Sequence, residues 1–146
     1  MSEWGNTNDQ TELYMKVLIS IHKMESFLRT AENTVLKKYQ ITPMQLGVLD
    51  TLSQKGELMI QTLIDEMAST SGNMTVVIRN LDKAGYIYRK SDPSDKRRCV
   101  IGLTESGRMK LEEIMPEHMR NVADVLETMP DERKRMLIEI IDSYLA

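Results

Sequence analysis

The sequence predicts a mainly α-helical fold with one small β-hairpin set between its helices. Three observations predict it. Apolar residues recur at steps of three and four through most of the chain, the spacing of a single helix face. Two β-prone runs, Tyr86-Ile87-Tyr88-Arg89-Lys90 and Arg98-Cys99-Val100-Ile101-Gly102-Leu103, interrupt that pattern. Between them Ser91-Asp92-Pro93-Ser94-Asp95-Lys96-Arg97 is rich in turn formers and charge, so strand, polar tip and strand make a hairpin. At 146 residues the chain suits one compact domain with a core of its own.

The first element reads Leu13, Val17, Ile21, Met24, Leu28, Ala31 and Val35, an amphipathic helix with near-heptad spacing. Leu18 and Leu36 widen its stripe beyond what one neighbour needs, so the helix can pack on its own domain and on a second copy. Thr42-Pro43-Met44-Gln45 opens the next helix: Thr42 is the N-cap, Pro43 suits the first helical position, and Gln45 completes a capping box. That helix buries Leu46, Leu49 and Leu52 and ends before Gly56. Gly56-Glu57-Leu58-Met59 reads as a short strand, and Ile60, Leu63, Ile64 and Met67 as the face of a two-turn helix. Ala68-Ser69-Thr70 turns the chain and Thr70 caps a further helix, with Met74, Val77, Ile78 and Leu81 inward and Gly85 as its stop.

After the hairpin, Thr104-Glu105-Ser106-Gly107 opens a long helix. Its apolar side carries Leu111, Ile114, Met115, Met119, Val122, Val125, Leu126 and Met129. Pro116 lies inside it and predicts a kink there or a break just before it. Pro130-Asp131 starts the last helix, with Met136, Leu137, Ile140, Ile141, Tyr144 and Leu145 apolar.

Several function classes find no support. No stretch approaches the roughly 20 apolar residues of a membrane span, and residues 1–8 have neither the basic flank nor the apolar run of a signal peptide. With one cysteine, the expectation is a cytoplasmic protein without membrane association. There is no Ser-His-Asp set, phosphate-binding glycine loop or glycine-serine elbow, so no enzyme is expected. His22 and His118 are the only histidines and neither stands at a ligand spacing, so no metal or cofactor is expected. His118 continues an apolar stripe and reads as a satisfied interior or interface histidine.

Charge is unevenly placed. From Ser71 to Arg98, seven basic residues face three acids, a surplus of four in a chain whose net charge is −3. This segment, about one fifth of the chain, can attract a polyanion while the rest repels it. Two short helices joined by a tight polar turn and followed by a hairpin form a winged helix-turn-helix, whose second helix enters the DNA major groove. Thr70, Ser71, Asn73, Thr75, Val76 and Arg79 then face the duplex, with polar groups for base edges or phosphates and methyls for thymine. On the wing, Lys96, Arg97 and Arg98 supply cations, with Arg97 suited to a narrow minor groove and Asp95 placed to orient it.

At these residues the chain resembles the MarR family of bacterial transcription regulators. The match runs through Leu63-Ile64-Asp65-Glu66-Met67, the helix from Thr70 to Gly85, and the wing signature Asp92-Pro93-Ser94-Asp95-Lys96-Arg97. It continues in Leu103-Thr104-Glu105-Ser106-Gly107. Arg79 departs from it, standing where many relatives carry an acid. The resemblance implies a single domain over 1–146, with a winged unit at about 42–104. The helices at about 9–40 and 105–146 would form the base of a homodimer. It further implies double-stranded DNA with a pseudo-palindromic operator as partner, and repression relieved by a small effector. In such a family the effector pocket lies between dimer base and winged unit, which points to His22, Tyr39, Met44 and Met67 and to a small aromatic or apolar ligand. The same residues also read as plain core. Two alternatives accompany this reading: redox sensing through Cys99, against its role as a small core residue, and a winged protein-interaction module that binds no DNA.

Overall fold

A computed structural model describes residues 9–146; Met1–Asn8, over which the signal-peptide reading was made, lie outside the described residues. The chain runs α1 (Asp9–Leu36), a 3-10 turn (Lys37–Tyr39), α2 (Pro43–Lys55), β1 (Leu58–Met59), α3 (Ile60–Glu66) and α4 (Ser71–Lys83). It continues through β2 (Ile87–Ser91), β3 (Cys99–Leu103), α5 (Glu105–Leu126) and α6 (Asp131–Leu145).

Local chemistry sets the boundaries. At α2 the capping box forms in full: the Gln45 backbone N–H donates to Thr42 Oγ1 at 3.1 Å, and the Thr42 N–H donates to Gln45 Oε1 at 2.9 Å. Two orphan N–H groups are thereby satisfied reciprocally. At α4 the Asn73 N–H donates to Thr70 Oγ1 at 3.2 Å. Its far end is closed by Gly85 at φ 77°, which lets the Tyr86 N–H turn back to the Leu81 carbonyl at 3.0 Å. Thr104 caps α5 and also donates its hydroxyl to the Gly85 carbonyl at 2.6 Å, tying the stop of α4 to the start of α5. Gly107 is obligatory beside this tie, because a Cβ there would collide with the Tyr86 carbonyl. The Leu-Thr-x-x-Gly run thus has a packing cause.

The sheet has three antiparallel strands in the order β1-β3-β2. Ile87 lies opposite Leu103 and Ser91 opposite Cys99, while β1 covers the other edge of β3 with Leu58 opposite Ile101. Residues directly opposite share a face, so one face carries Ile87 and Ile101, 2% and 0% exposed, into the core. That core is one cluster, including Leu36, Leu46, Val48, Leu49, Leu52, Leu63, Met74, Ile78, Leu81 and Ile114. All four inward residues expected of α4 are in it.

The helices outside the winged unit behave differently. The C-terminal part of α1 packs along α5, where the Asn121 amide donates to the Ala31 carbonyl at 2.8 Å. The first half of α1 and all of α6 leave their apolar stripes open: Leu13, Val17, Ile21, Leu137, Ile140 and Ile141 are all exposed.

The helix α5 continues through Pro116 without the break that was one of the two outcomes expected there; the residue four positions earlier, Glu112, is exposed. Two details correct the sequence reading. Met119, expected on the buried stripe, is exposed. His118 is buried as expected but not satisfied: Nε2 lies 3.9 Å from Glu32 and Nδ1 has no hydrogen-bond partner among the described residues.

Candidate nucleic-acid interface

With Met74, Val77, Ile78 and Leu81 in the core, α4 presents Ser71, Asn73, Thr75, Val76 and Arg79 outward, all exposed, with Thr70 exposed at its cap. The Thr75 hydroxyl donates to the Ser71 carbonyl at 2.8 Å. The Asn73 amide nitrogen donates to Ser69 Oγ at 3.0 Å, leaving its carbonyl oxygen and second hydrogen free to address a base edge. Arg79 belongs to the same exposed face, in the middle of the helix.

The wing tip is a structured loop. The Asp92 carboxylate accepts from the Ser94 hydroxyl at 2.7 Å and from its backbone N–H at 2.9 Å. These bonds hold the Asp92 carboxyl below the ordinary carboxylate range, the hydroxyl being the larger cause. The Asp92 N–H reaches the Arg98 carbonyl and the Arg98 N–H the Asp95 carbonyl, both at 2.9 Å. Asp95 Oδ1 accepts from the Arg97 backbone at 3.0 Å and from its Nε at 3.2 Å, while Oδ2 stands 3.6 Å from Arg98 Nε. The Arg97 side chain nevertheless remains 92% exposed, projecting from the tip with its stem oriented.

At the root of the wing a second set of contacts fixes β2. Glu57, just before β1, accepts from the Tyr88 hydroxyl and pairs with Lys90 at 2.7 Å. Lys90 foremost, then Tyr88, lowers the Glu57 carboxyl, and Glu57 in turn raises both partners. On the opposite face Arg89 Nε pairs with Asp82 of α4 at 3.4 Å, joining wing and recognition helix. Arg89 and Lys90 were counted in the sequence as charge but not assigned to the site. Strand alternation was the signal that could have placed them, since Arg89 shares the Ile87 face and Lys90 does not.

Of the four residues grouped as an effector pocket, Met44 lines a groove. The groove, of about 710 Å³, lies between α1, α2 and α4, and Met44 lines it with Leu28, Asn73, Val76 and Asn80. His22 is exposed one turn before Glu25, the first α1 residue of that groove. Tyr39 is held elsewhere: its hydroxyl donates to Glu117 of α5 at 2.6 Å, with Lys110 over its ring at 5.4 Å. Met67 packs across Gly47 and its sulfur accepts from Thr51 Oγ1 at 3.6 Å. Cys99 is half-buried at the outer end of β3 and has no disulfide partner.

Comparison with known proteins agrees with this architecture. The sequence model of the MarR family matches residues 41–99, from the start of α2 to the start of β3. The HTH-type transcriptional regulator MhqR of Bacillus subtilis is 26% identical over 131 residues, covering 90% of each chain. An uncharacterized HTH-type transcriptional regulator of Bacillus cereus is 30% identical over 110 residues, covering 75% of this chain and 73% of its own. Among solved structures, Sco3205, a MarR family transcriptional regulator from Streptomyces coelicolor in complex with DNA, superposes with a TM-score of 0.84 at 22% identity. The superposition covers 99% of this chain and 91% of that one. Family match, full-length relatives and shared fold concur, and the chain belongs to the MarR family of helix-turn-helix transcriptional regulators.

Proposed function

We propose that this chain is a sequence-specific, double-stranded-DNA-binding transcriptional regulator that works as a homodimer on a pseudo-palindromic operator and represses until a small molecule releases it. The observation that carries the reading is the pairing of two features on one lobe. The outward face of α4 is polar and free, and beside it stands a braced hairpin whose tip carries the exposed Arg97. A helix in the major groove and a cationic ribbon in the neighbouring minor groove are what such a lobe fits. The DNA complex of the Streptomyces coelicolor relative supports the same use.

The unpartnered stripes support a homodimer. Leu13, Val17 and Ile21 of α1, with Leu137, Ile140 and Ile141 of α6, expose a continuous-period apolar surface that one chain does not cover. A second copy covers it and sets two recognition helices about 34–36 Å apart, one turn of DNA. The groove lined by Leu28, Met44, Val76 and Asn80 suits a small apolar or aromatic effector. A ligand there touches the recognition helix itself, so that binding of ligand and of DNA oppose each other. A coupling of about 1–3 kcal/mol is usual for such linkage.

The test separates reading from holding. Arg97→Ala should weaken binding to operator and scrambled duplex equally, with the melting temperature unchanged. Asn73→Ala should lower the preference for operator by roughly 5- to 150-fold, the 1–3 kcal/mol of one base contact, with less effect on scrambled DNA. Equal losses for Asn73→Ala on both duplexes would make it a phosphate contact and remove it from sequence reading.

A further inference from the structure

The groove between α1, α2 and α4 carries a charge to which the effector reading above gives no part. Glu25, Leu28, Arg29 and Glu32 of α1 line it from one face of that helix. The ionisable side chains on its walls are the two carboxylates and the one guanidinium of this row. Arg29 is engaged within α1, where its Nε donates to Glu25 Oε1 at 2.9 Å. Glu32 is left over. Among the described residues it has no lysine or arginine partner, and His118 Nε2 stands 3.9 Å off, beyond hydrogen-bond reach. With its side chain 33% exposed, Glu32 is open to a ligand yet partly withdrawn from bulk water, which strengthens any charge pair formed there.

The rest of the lining offers an anion little. Its natural seat would be a helix N-terminus, and the starts of both α2 and α4 border the groove. At α2 the Thr42 and Gln45 N–H groups are taken by their own capping box, and Pro43 has none to give. At α4 the Asn73 N–H is taken by the Thr70 hydroxyl. The amides of Asn33 and Asn80 are neutral and can accept from a cation as readily as they donate to an anion. One unpaired carboxylate therefore sets the sign of the site.

Resting on the effector reading, we propose that the groove selects a cation: an aromatic amine or amidine whose positive head pairs with Glu32 while its ring lies against Leu28, Met44 and Val76. An amidinium suits the carboxylate, since two parallel N–H groups match its two oxygens. The three apolar side chains supply the surface that holds the ring. Val76 and Asn73 also belong to the outward face of α4, so a ligand seated here and a DNA duplex contend for the same residues.

Three probes of one shape isolate the charge: naphthamidine, naphthamide and naphthoate share a ring system and differ in a head that is positive, neutral or negative. Calorimetric titration of each into the full-length protein should rank them in that order. A hydrogen bond to a charged group exceeds a neutral one by enough to give naphthamidine an advantage of about 10-fold or more over naphthamide. In Glu32→Gln that advantage should disappear, with naphthamide bound as in the unaltered protein. Naphthoate binding as tightly as naphthamidine would overturn the proposal and leave the effector reading standing. A preference for naphthamidine that survives in Glu32→Gln would overturn it as well, since the cation would then sit elsewhere. Binding of none of the three would remove the groove as an aromatic-ligand site and the proposal with it. The effector reading is judged separately, by whether saturating naphthamidine weakens binding to a promoter duplex: a cation bound at Glu32 without that effect would end the effector reading and keep the charge selection.

Discussion

The winged unit and the flanking helices are written in the same helical code but end in opposite states. In α4 the apolar stripe Met74, Val77, Ile78, Leu81 is at most 7% exposed. In α6 the corresponding stripe Leu137, Ile140, Ile141, Tyr144 is 38–85% exposed. Propensity and periodicity do not distinguish these helices; what lies opposite them does. The winged unit closes its core within one chain, through α2, α3, α4 and the sheet, with Leu36 at the end of α1 and Leu111 and Ile114 at the start of α5 joining it. Beyond that, the stem packs α1 along α5 and leaves the apolar stripes of early α1 and of α6 exposed; in the homodimer proposed above a second copy covers them. The difference teaches that the lobe closes its apolar faces within one chain while the stem keeps its own open, so that on the homodimer proposed above the stem decides assembly and the spacing of two lobes.

The sharpest way to break the comparison is a charge on the stem. Ile140→Glu with Ile141→Glu should convert the dimer to monomer at micromolar concentration, measured by sedimentation. Each side chain buried in the interface is worth about 1.5–3 kcal/mol, and symmetry counts every loss twice. DNA affinity should collapse with it, since one lobe alone loses the second half-site. An unaltered dimer would show that α6 covers nothing.

Next in size is Leu49→Ala. Leu49 is fully buried at the centre of the winged unit, and its truncation should cost about 2–5 kcal/mol of stability by chemical denaturation. The same substitution at Leu137 should leave the folded chain's stability nearly unchanged when measured on a monomeric background. A similar loss at both sites would erase the distinction between lobe and stem.

The smallest effect lies at the junction of the two regions. Glu117 on α5 pairs with Lys38 and accepts from Tyr39, which anchors the turn after α1 to the stem. Lys38 first, then Tyr39, holds the Glu117 carboxyl below the ordinary carboxylate range. A carboxyl lowered by folding contributes stability above its unfolded value of about 4.3, and that contribution is lost as pH falls through the folded value. Glu117→Gln should therefore melt slightly below the unaltered protein near pH 7, and the two curves should converge in acid below about pH 4. A difference that persists in acid would show that Glu117 acts by packing and not by charge.

Sequence gave good access to whatever is decided within a few residues. The capping box at Thr42 and Gln45, the stop at Gly85 and the alternation of the hairpin are local chemistry, and each stands where its residues put it. Facts that depend on which helices approach each other were harder. The resemblance grouped His22, Tyr39, Met44 and Met67 around one pocket, yet Met44 lines the groove while Tyr39 and Met67 meet other surroundings. The unpartnered Nδ1 of His118 is likewise a matter of what α1 brings opposite α5. The cations Arg89 and Lys90 were legible as charge and, by strand alternation, as residues of opposite faces, but their partners Asp82 and Glu57 come from other elements and were not.

The central claim is best tested by fluorescence anisotropy of the full-length protein on a duplex from its own promoter and on a scrambled duplex, at two salt concentrations. The account predicts two chains per promoter duplex, a clear preference for it over the scrambled one, and affinity that falls steeply with salt. A folded dimer that binds neither duplex at low salt would contradict it and make the lobe a protein-interaction module.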